Sequence, residues 1–317
     1  MLTGIVAAPW AMLALCIVMG VGVAGIGLSV MHDANHGAYS KKQWVNNLVG
    51  YSLNLVGGNA FNWKVQHNVL HHTYTNIHDV DEDISPRGVL RMTPHGPWKF
   101  FHRFQHLYAW FFYGLMTLVW ILVKDFARII KYQKEGLLKK QKASAATEWI
   151  VLLLTKAVYV GYIFVLPVML LPIAWWQVLI GFVSMHYLAG FILAVIFQPA
   201  HVIDGTEYPL PDENGKMDNS WAIHQLHTTT NFANESRLFS WYVGGLNFQI
   251  EHHLFPNVCH VHYRSIARIV KETAAEFGLP YKSEPTFIDA LAGHARLLKQ
   301  LGQRPAAVGM QTVHVNS

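Results

Sequence analysis

Three histidine groups stand out. His32 and His36 close the first long apolar stretch of the chain, and at a spacing of four they share one face of a helix. His67 and His71 repeat that spacing and are followed at once by His72, which points about 100° away on a regular helix and so reaches a neighbouring site. Gln249, His252 and His253 form the third group, with both histidines on the glutamine's side at spacings of three and four. A single histidine, His201, ends another apolar stretch.

A set of neutral imidazoles at the ends of apolar segments suits a centre that binds iron, leaves coordination positions open for dioxygen and lies close to lipid. Two neighbouring metals would use His71 and His72 together. Such ligands need acceptors for their outer N–H groups, and Asp33, Asn35 and Glu251 lie inside the motifs to serve. His224 and His227, three apart, are further candidates for a ligand or for a partner of one. The remaining histidines, among them His78, His95, His102, His106, His186, His294 and His314, are read as hydrogen-bonded or surface residues, and the acidic run from His78 to Asp83 as a solvated loop.

The elements that must hold these groups are helices in a membrane. Of the 317 residues, 52% are hydrophobic and only 14% are Asp, Glu, Lys or Arg, against about a quarter charged in an average soluble domain. Mean hydropathy is +0.22. Trp10 to Met31, Trp149 to Leu171 and Trp176 to Phe197 are long enough to span a bilayer. Val45 to Gly58 is too short, holds three asparagines, and is expected to be re-entrant or interfacial; residues 104–123 are expected to form an amphipathic interface helix. The net charge of +5 is concentrated in stretches such as Arg128 to Lys142, which places this loop, the polar ends of the helices and the histidines in the cytoplasm, with Trp175 and Trp176 at the opposite interface. No stripe of basic residues interleaved with aromatics suggests nucleic acid. Residues 1–262 are thus read as a membrane domain, and 263–317 as cytoplasmic helices with a disordered tail. Cys16 and Cys259 form no disulfide framework, and no cleavable leader is seen.

The motifs HDANH, HNVLHH and QIEHHLFP resemble the three histidine boxes of the membrane fatty acid desaturases. The resemblance runs from about His32 to Pro256, and the glutamine-first third box is similar to the front-end, linoleoyl-CoA type, which places a new double bond between an existing one and the carboxyl end. It implies an all-α, multi-pass membrane fold whose cytoplasmic helical cap holds two iron ions. The implied ligands are His32, His36, His67, His71, His72, His201, His252 and His253, with Gln249 standing where other members have a histidine. It implies an acyl-CoA or acyl-lipid substrate, dioxygen and an external electron donor, either ferredoxin or a separate cytochrome with its reductase, since no HPGG haem motif is present. Only about thirty residues precede the first box, so the first helix of the usual membrane hairpin is expected to be short or missing. The same boxes serve lipid hydroxylases, ketolases and epoxidases, which rebound oxygen onto carbon. A metal transporter or haem carrier would place its ligands in mid-helix instead of at helix ends.

Overall fold

The computed structural model describes residues 8–84 and 88–305; His314 and the end of the tail lie outside them. The described residues are almost entirely helical. Helix α1 (Pro9–Asn35), α2 (Gln43–Gly50), α3 (Ser52–Leu55) and α4 (Ala60–Lys64) lead into a π-helical segment, Val65–His71. Next come α5 (Phe100–Gly114), α6 (Met116–Lys134), α7 (Ala145–Leu170), α8 (Trp175–His201), α9 (Trp221–Thr228), α10 (Gln249–Leu254), α11 (Tyr263–Glu276) and α12 (Phe287–Leu301). The only strand pairing among the described residues joins Asn231–Phe232 to Ser283–Glu284, in parallel.

Helices α1, α7 and α8 are each long and apolar enough to cross a membrane. Their outward faces carry Leu13, Val18, Leu153, Leu154, Val158 and Ile180, all exposed, as expected where lipid takes the place of water. Helices α1 and α8 run beyond their apolar stretches and carry His32 and His201 on their last turns. The stretch expected to be one interface helix is a bent pair, with α5 and α6 meeting at 60°. Val45 to Gly58 is taken up by α2, α3 and the turn after them.

Helices α1 and α8 pack in parallel. A Cβ on Gly20 would lie 2.6 Å from the Met185 carbonyl and one on Gly27 3.0 Å from Leu193, so the contact advances along both helices together. His32 and His201 therefore emerge at the same end. Ala24, Leu28, Ala189, Leu193 and Ile196 form the apolar seam. On the other side of α8, a Cβ on Gly190 would meet three backbone atoms, the nearest being the Gly114 carbonyl at 2.8 Å. Only glycine lets these helices approach so closely.

Helix α7 brings a charge into the layer, and Lys156 is matched there. Its ammonium group lies 2.6 Å from Asp125 and donates to the Gly57 carbonyl at 2.5 Å, a pairing that a buried charge requires. Helix α12 begins with a reciprocal cap between Thr286 and Asp289, the pattern that starts helices in sequence. It is docked through buried His294, whose ring contacts the Val202 carbonyl at 2.5 Å and the Tyr113 hydroxyl at 2.6 Å. Thus the helix following the site is anchored beside His201.

Two outcomes follow. Gly190→Ala is expected to cost about 1–3 kcal/mol through overpacking, whereas Gly161→Ala, whose added methyl meets nothing within 4 Å, leaves thermal stability in detergent nearly unchanged. Burial pushes His294 down to about 4, below its unfolded value near 6.5. Its contribution to stability is complete above about pH 6.5 and declines as pH falls toward 4, by at most about 1.4 kcal/mol per pH unit. His294→Gln, scanned by thermal unfolding over that range, should show a shallower loss than the parent chain.

Candidate metal centre

Each histidine group is held by a specific local device. In α1 the backbone widens into a π turn at Ile26–Val30 just before His32 and His36. The second group starts from α4, which is capped by Asn59 through the Asn62 amide at 2.9 Å, and continues in the π segment. There the His72 amide donates to the His67 carbonyl, five residues back. Such π turns are rare and concentrate at functional sites. Helix α10, with the third group, is tied to the strand at Asn231, whose side-chain oxygen accepts from the Ile250 amide at 2.9 Å.

The π segment changes the geometry expected of His72. On a regular helix it would diverge from His67, but with the wider turn its Nε2 lies 3.3 Å from His67 Nε2 and 3.0 Å from His252 Nε2. His32 Nε2 also lies 3.2 Å from His67 Nε2. Two sets of donor atoms emerge. His32, His36, His67 and His252 converge within 4.8 Å of one another, as do His71, His201 and His253; His72 joins His252 and His253 in a third set that links the two. All eight histidines named here are buried.

This arrangement fits cations. Neutral imidazole nitrogens facing one another at about 3 Å can share only one proton per pair, and the rest are lone pairs with nothing to accept. His36 Nε2 and His253 Nε2 are buried without a hydrogen-bond partner, an expensive condition unless an ion completes it. Burial, reinforced by neighbouring histidines, holds His72, His252 and His253 well below the usual histidine range. They remain neutral, as a metal-binding imidazole must.

A comparison with known proteins agrees with this geometry. The description of the fatty acid desaturase family matches residues 8–285. The chain belongs to the fatty acid desaturase family. It is 38% identical over 310 residues to an sn-1 linoleoyl-lipid 6-desaturase of Arthrospira platensis, covering 96% of this chain and 82% of that protein. An enzyme of the same description from Synechocystis is 38% identical over 294 residues, 91% of this chain and 80% of the relative. An acyl-lipid (8-3)-desaturase of Physcomitrium patens is 39% identical over 288 residues, 90% and 59% of the two chains. This desaturase is accordingly an oxidoreductase of lipid metabolism.

The outer nitrogens find partners outside the boxes. His71 Nδ1 lies 3.0 Å from Asp81, His253 Nδ1 2.8 Å from the Gln225 side-chain oxygen, His252 Nδ1 3.2 Å from the Tyr263 hydroxyl, and His201 Nδ1 3.2 Å from the Thr228 carbonyl. Burial pulls the His71 ring down, but Asp81 and Asp83 outweigh it and push it up to about 9. The acidic run is therefore no solvated loop. Asp81 is fully buried, Asp83 lies 3.6 Å from His67, and Glu82 is held by Arg128, Lys131 and Tyr132. Asp79 alone keeps the expected exposure.

The acceptors expected inside the motifs bond elsewhere. Asp33 binds His260 at 2.7 Å and Cys259 at 3.2 Å, Asn35 donates to the Gly50 carbonyl, and Glu251 accepts from Asn231 and Tyr281. Residues next to a ligand on a helix project away from the ligand face, so they join the site to its surroundings instead. Gln249 donates to the Leu246 carbonyl. His224 holds the Thr75 carbonyl at 2.7 Å, while His227 pairs with Glu207 near the surface; neither enters a converging set. The acidic composition beside a histidine cluster was a usable signal for Asp81 and Asp83. Gln225 and Tyr263 carried none.

Asp81→Asn is expected to weaken metal retention about 10–100-fold, the usual effect of removing an acceptor behind a ligand. Asp79→Asn should leave it unchanged. Metal content per purified chain, read by plasma mass spectrometry after dialysis, checks the contrast.

Proposed function

We propose that this desaturase inserts a cis double bond into the acyl chain of a membrane lipid, using dioxygen and electrons from a separate donor protein at two iron ions. The observation that carries this reading is the convergence of His32, His36, His67, His71, His72, His201, His252 and His253 into linked sets of three or four donor atoms. Imidazoles suit iron, and few protein donors elsewhere in the sets leave room for exchangeable ligands. When bound, the irons would activate dioxygen, the oxidant that takes hydrogen from an unactivated C–H bond and leaves as water with the donor's electrons.

The chain's own residues position and insulate. Asp81, Gln225, Tyr263 and the Thr228 carbonyl fix the imidazole rings, so that little reorganisation accompanies binding. An apolar cavity lined by Met31, Leu53, Trp120, Leu193 and Phe197 begins beside the first set; the Phe197 ring lies 6.3 Å from those of both His32 and His67. It offers an acyl segment a dry path next to the donors, a role of orientation. The relatives described as acting on linoleoyl-lipid and acyl-lipid substrates favour a glycerolipid-type carrier. The ends of α1 and α8 that bear the histidines adjoin Lys41, Lys42 and the basic stretch before α7, which favours a multi-pass chain with the boxes facing the cytoplasm. The electron donor is then a cytoplasmic carrier such as ferredoxin or a cytochrome.

Expression in a host lacking desaturases, with fatty acids separated by gas chromatography and mass spectrometry, tests the proposal. The parent chain and His227→Gln should yield a new unsaturated acid, whereas His71→Ala yields none and loses bound iron. A hydroxylated or oxo product in its place would overturn the reaction proposed.

A further inference from the structure

A short helix ahead of the third histidine group is apolar on two sides, and only one of them meets protein. Arg237–Tyr242 carries Phe239 and Tyr242 on one face and Leu238 and Trp241 on another, since residues three apart on a helix stay together. The Phe239 ring lies 5.0 Å from that of Phe287 on α12, and both pack on the seam of Ala24, Leu28 and Leu193. Tyr242 lies against α1: its hydroxyl donates to the Val21 carbonyl at 3.0 Å, and a Cβ on Gly25 would lie 3.6 Å from its ring. The other face is bare. Leu238 is 76% and Trp241 73% exposed, and Ile288, which follows Phe287, is 75% exposed.

The level of this helix is set by what it touches. Val21 and Gly25 lie within the apolar stretch from Trp10 to Met31, and Gly25 precedes the end of that stretch by about 9 Å of helix rise. After Tyr242 the chain turns at Gly244, where φ is +60° and a Cβ would lie 2.5 Å from the Ser29 Cα, so the backbone climbs α1 from Gly25 toward His32. On α1 itself Val18 and Val21 are exposed, close to the Tyr242 contact. The bare face thus continues the surface that α1 presents to lipid. Single apolar side chains in water call for no explanation. These gather where the cap meets a span at hydrocarbon depth, and a helix apolar all round is one with apolar surroundings all round.

We propose that Arg237–Tyr242, with Ile288 beside it, is a membrane anchor whose Leu238 and Trp241 side chains lie among the lipid acyl chains on the histidine side of the bilayer. Interfacial helices bury one face about 5–10 Å into this boundary, the depth at which Tyr242 meets α1. Arg237 is exposed at the start of the helix and has the length to reach the headgroups. Residues 243–248 alone separate the anchor from α10. Lipid contact therefore helps hold the third histidine group against the first, through the close approach of Gly244 to Ser29.

The test is carbene footprinting of the full chain in nanodiscs that hold one copy each, with a phosphatidylcholine bearing a diazirine in its acyl chain and adducts assigned to residues by fragmentation mass spectrometry. Leu238 and Trp241 should be labelled within about threefold of Leu13 and Val18 on α1, and about tenfold more than Phe277. Phe277 is the control because it is 74% exposed yet ends α11, a helix packed on α9 and α10. Trp241→Asp changes an exposed position, and because a carboxylate is costly in hydrocarbon it should lower labelling of Leu238 about fivefold while Leu13 and Val18 keep theirs. Labelling of Leu238 and Trp241 no higher than that of Phe277, with Leu13 and Val18 labelled, overturns the proposal, as does labelling that Trp241→Asp fails to reduce. Unlabelled Leu13 and Val18 would remove the span on which the anchor leans, and the proposal with it.

Discussion

Burying many imidazoles with their lone pairs turned toward one another is unfavourable unless something of opposite charge sits among them, and the rest of this structure answers to that constraint. In water each ring would be hydrated; in a dry interior the compensation has to come from the site itself. The protein supplies part of it from behind, through Asp81, Asp83, Gln225 and Tyr263. The inward lone pairs are left for a cation that the converging sets could hold. Burial and the neighbouring rings hold His72 low, whereas Asp81 and Asp83 outweigh burial at His71 and draw it upward.

Holding such a cluster requires elements from distant parts of the chain to end at one level. The parallel packing of α1 and α8 does this for His32 and His201, and its tightness depends on small residues at Gly20 and Gly27. The π segments then adjust the final angles. An ordinary helix would have delivered His67 and His72 to different sides; the wider turn brings both to the same edge. Below this level the layer is apolar toward lipid and polar only in compensated pairs, such as Lys156 with Asp125.

The C-terminal part is better described as a lid than an appendage. Helix α11 contributes Tyr263 behind His252, α12 docks through His294 beside His201, and Tyr281 together with Asn231 holds Glu251. A soluble-looking stretch of sequence thus helps fix the box histidine His252 from outside. The segment just before it reaches the first box, since His260 and Cys259 bind Asp33.

How much of this was legible in the chain itself varies by residue. The histidine spacings, the three apolar spans and the cap that starts α12 are local patterns, with periods and compositions set by helix geometry and by the solvent each face meets, so sequence determined them along with the family. The re-entrant character of the Val45 to Gly58 stretch and the cytoplasmic side rest on charge and parity alone. What only the tertiary structure decided are the contacts between residues far apart in sequence. Asp81 looks like solvated loop until the chain folds it behind His71, and Gln225 and Tyr263 look like ordinary helix residues until α9 and α11 bring them against α10. Asp33, Asn35 and Glu251 fail as ligand supports because neighbours on a helix diverge. Local sequence sets which way a side chain points along its own element; only packing sets what stands opposite it.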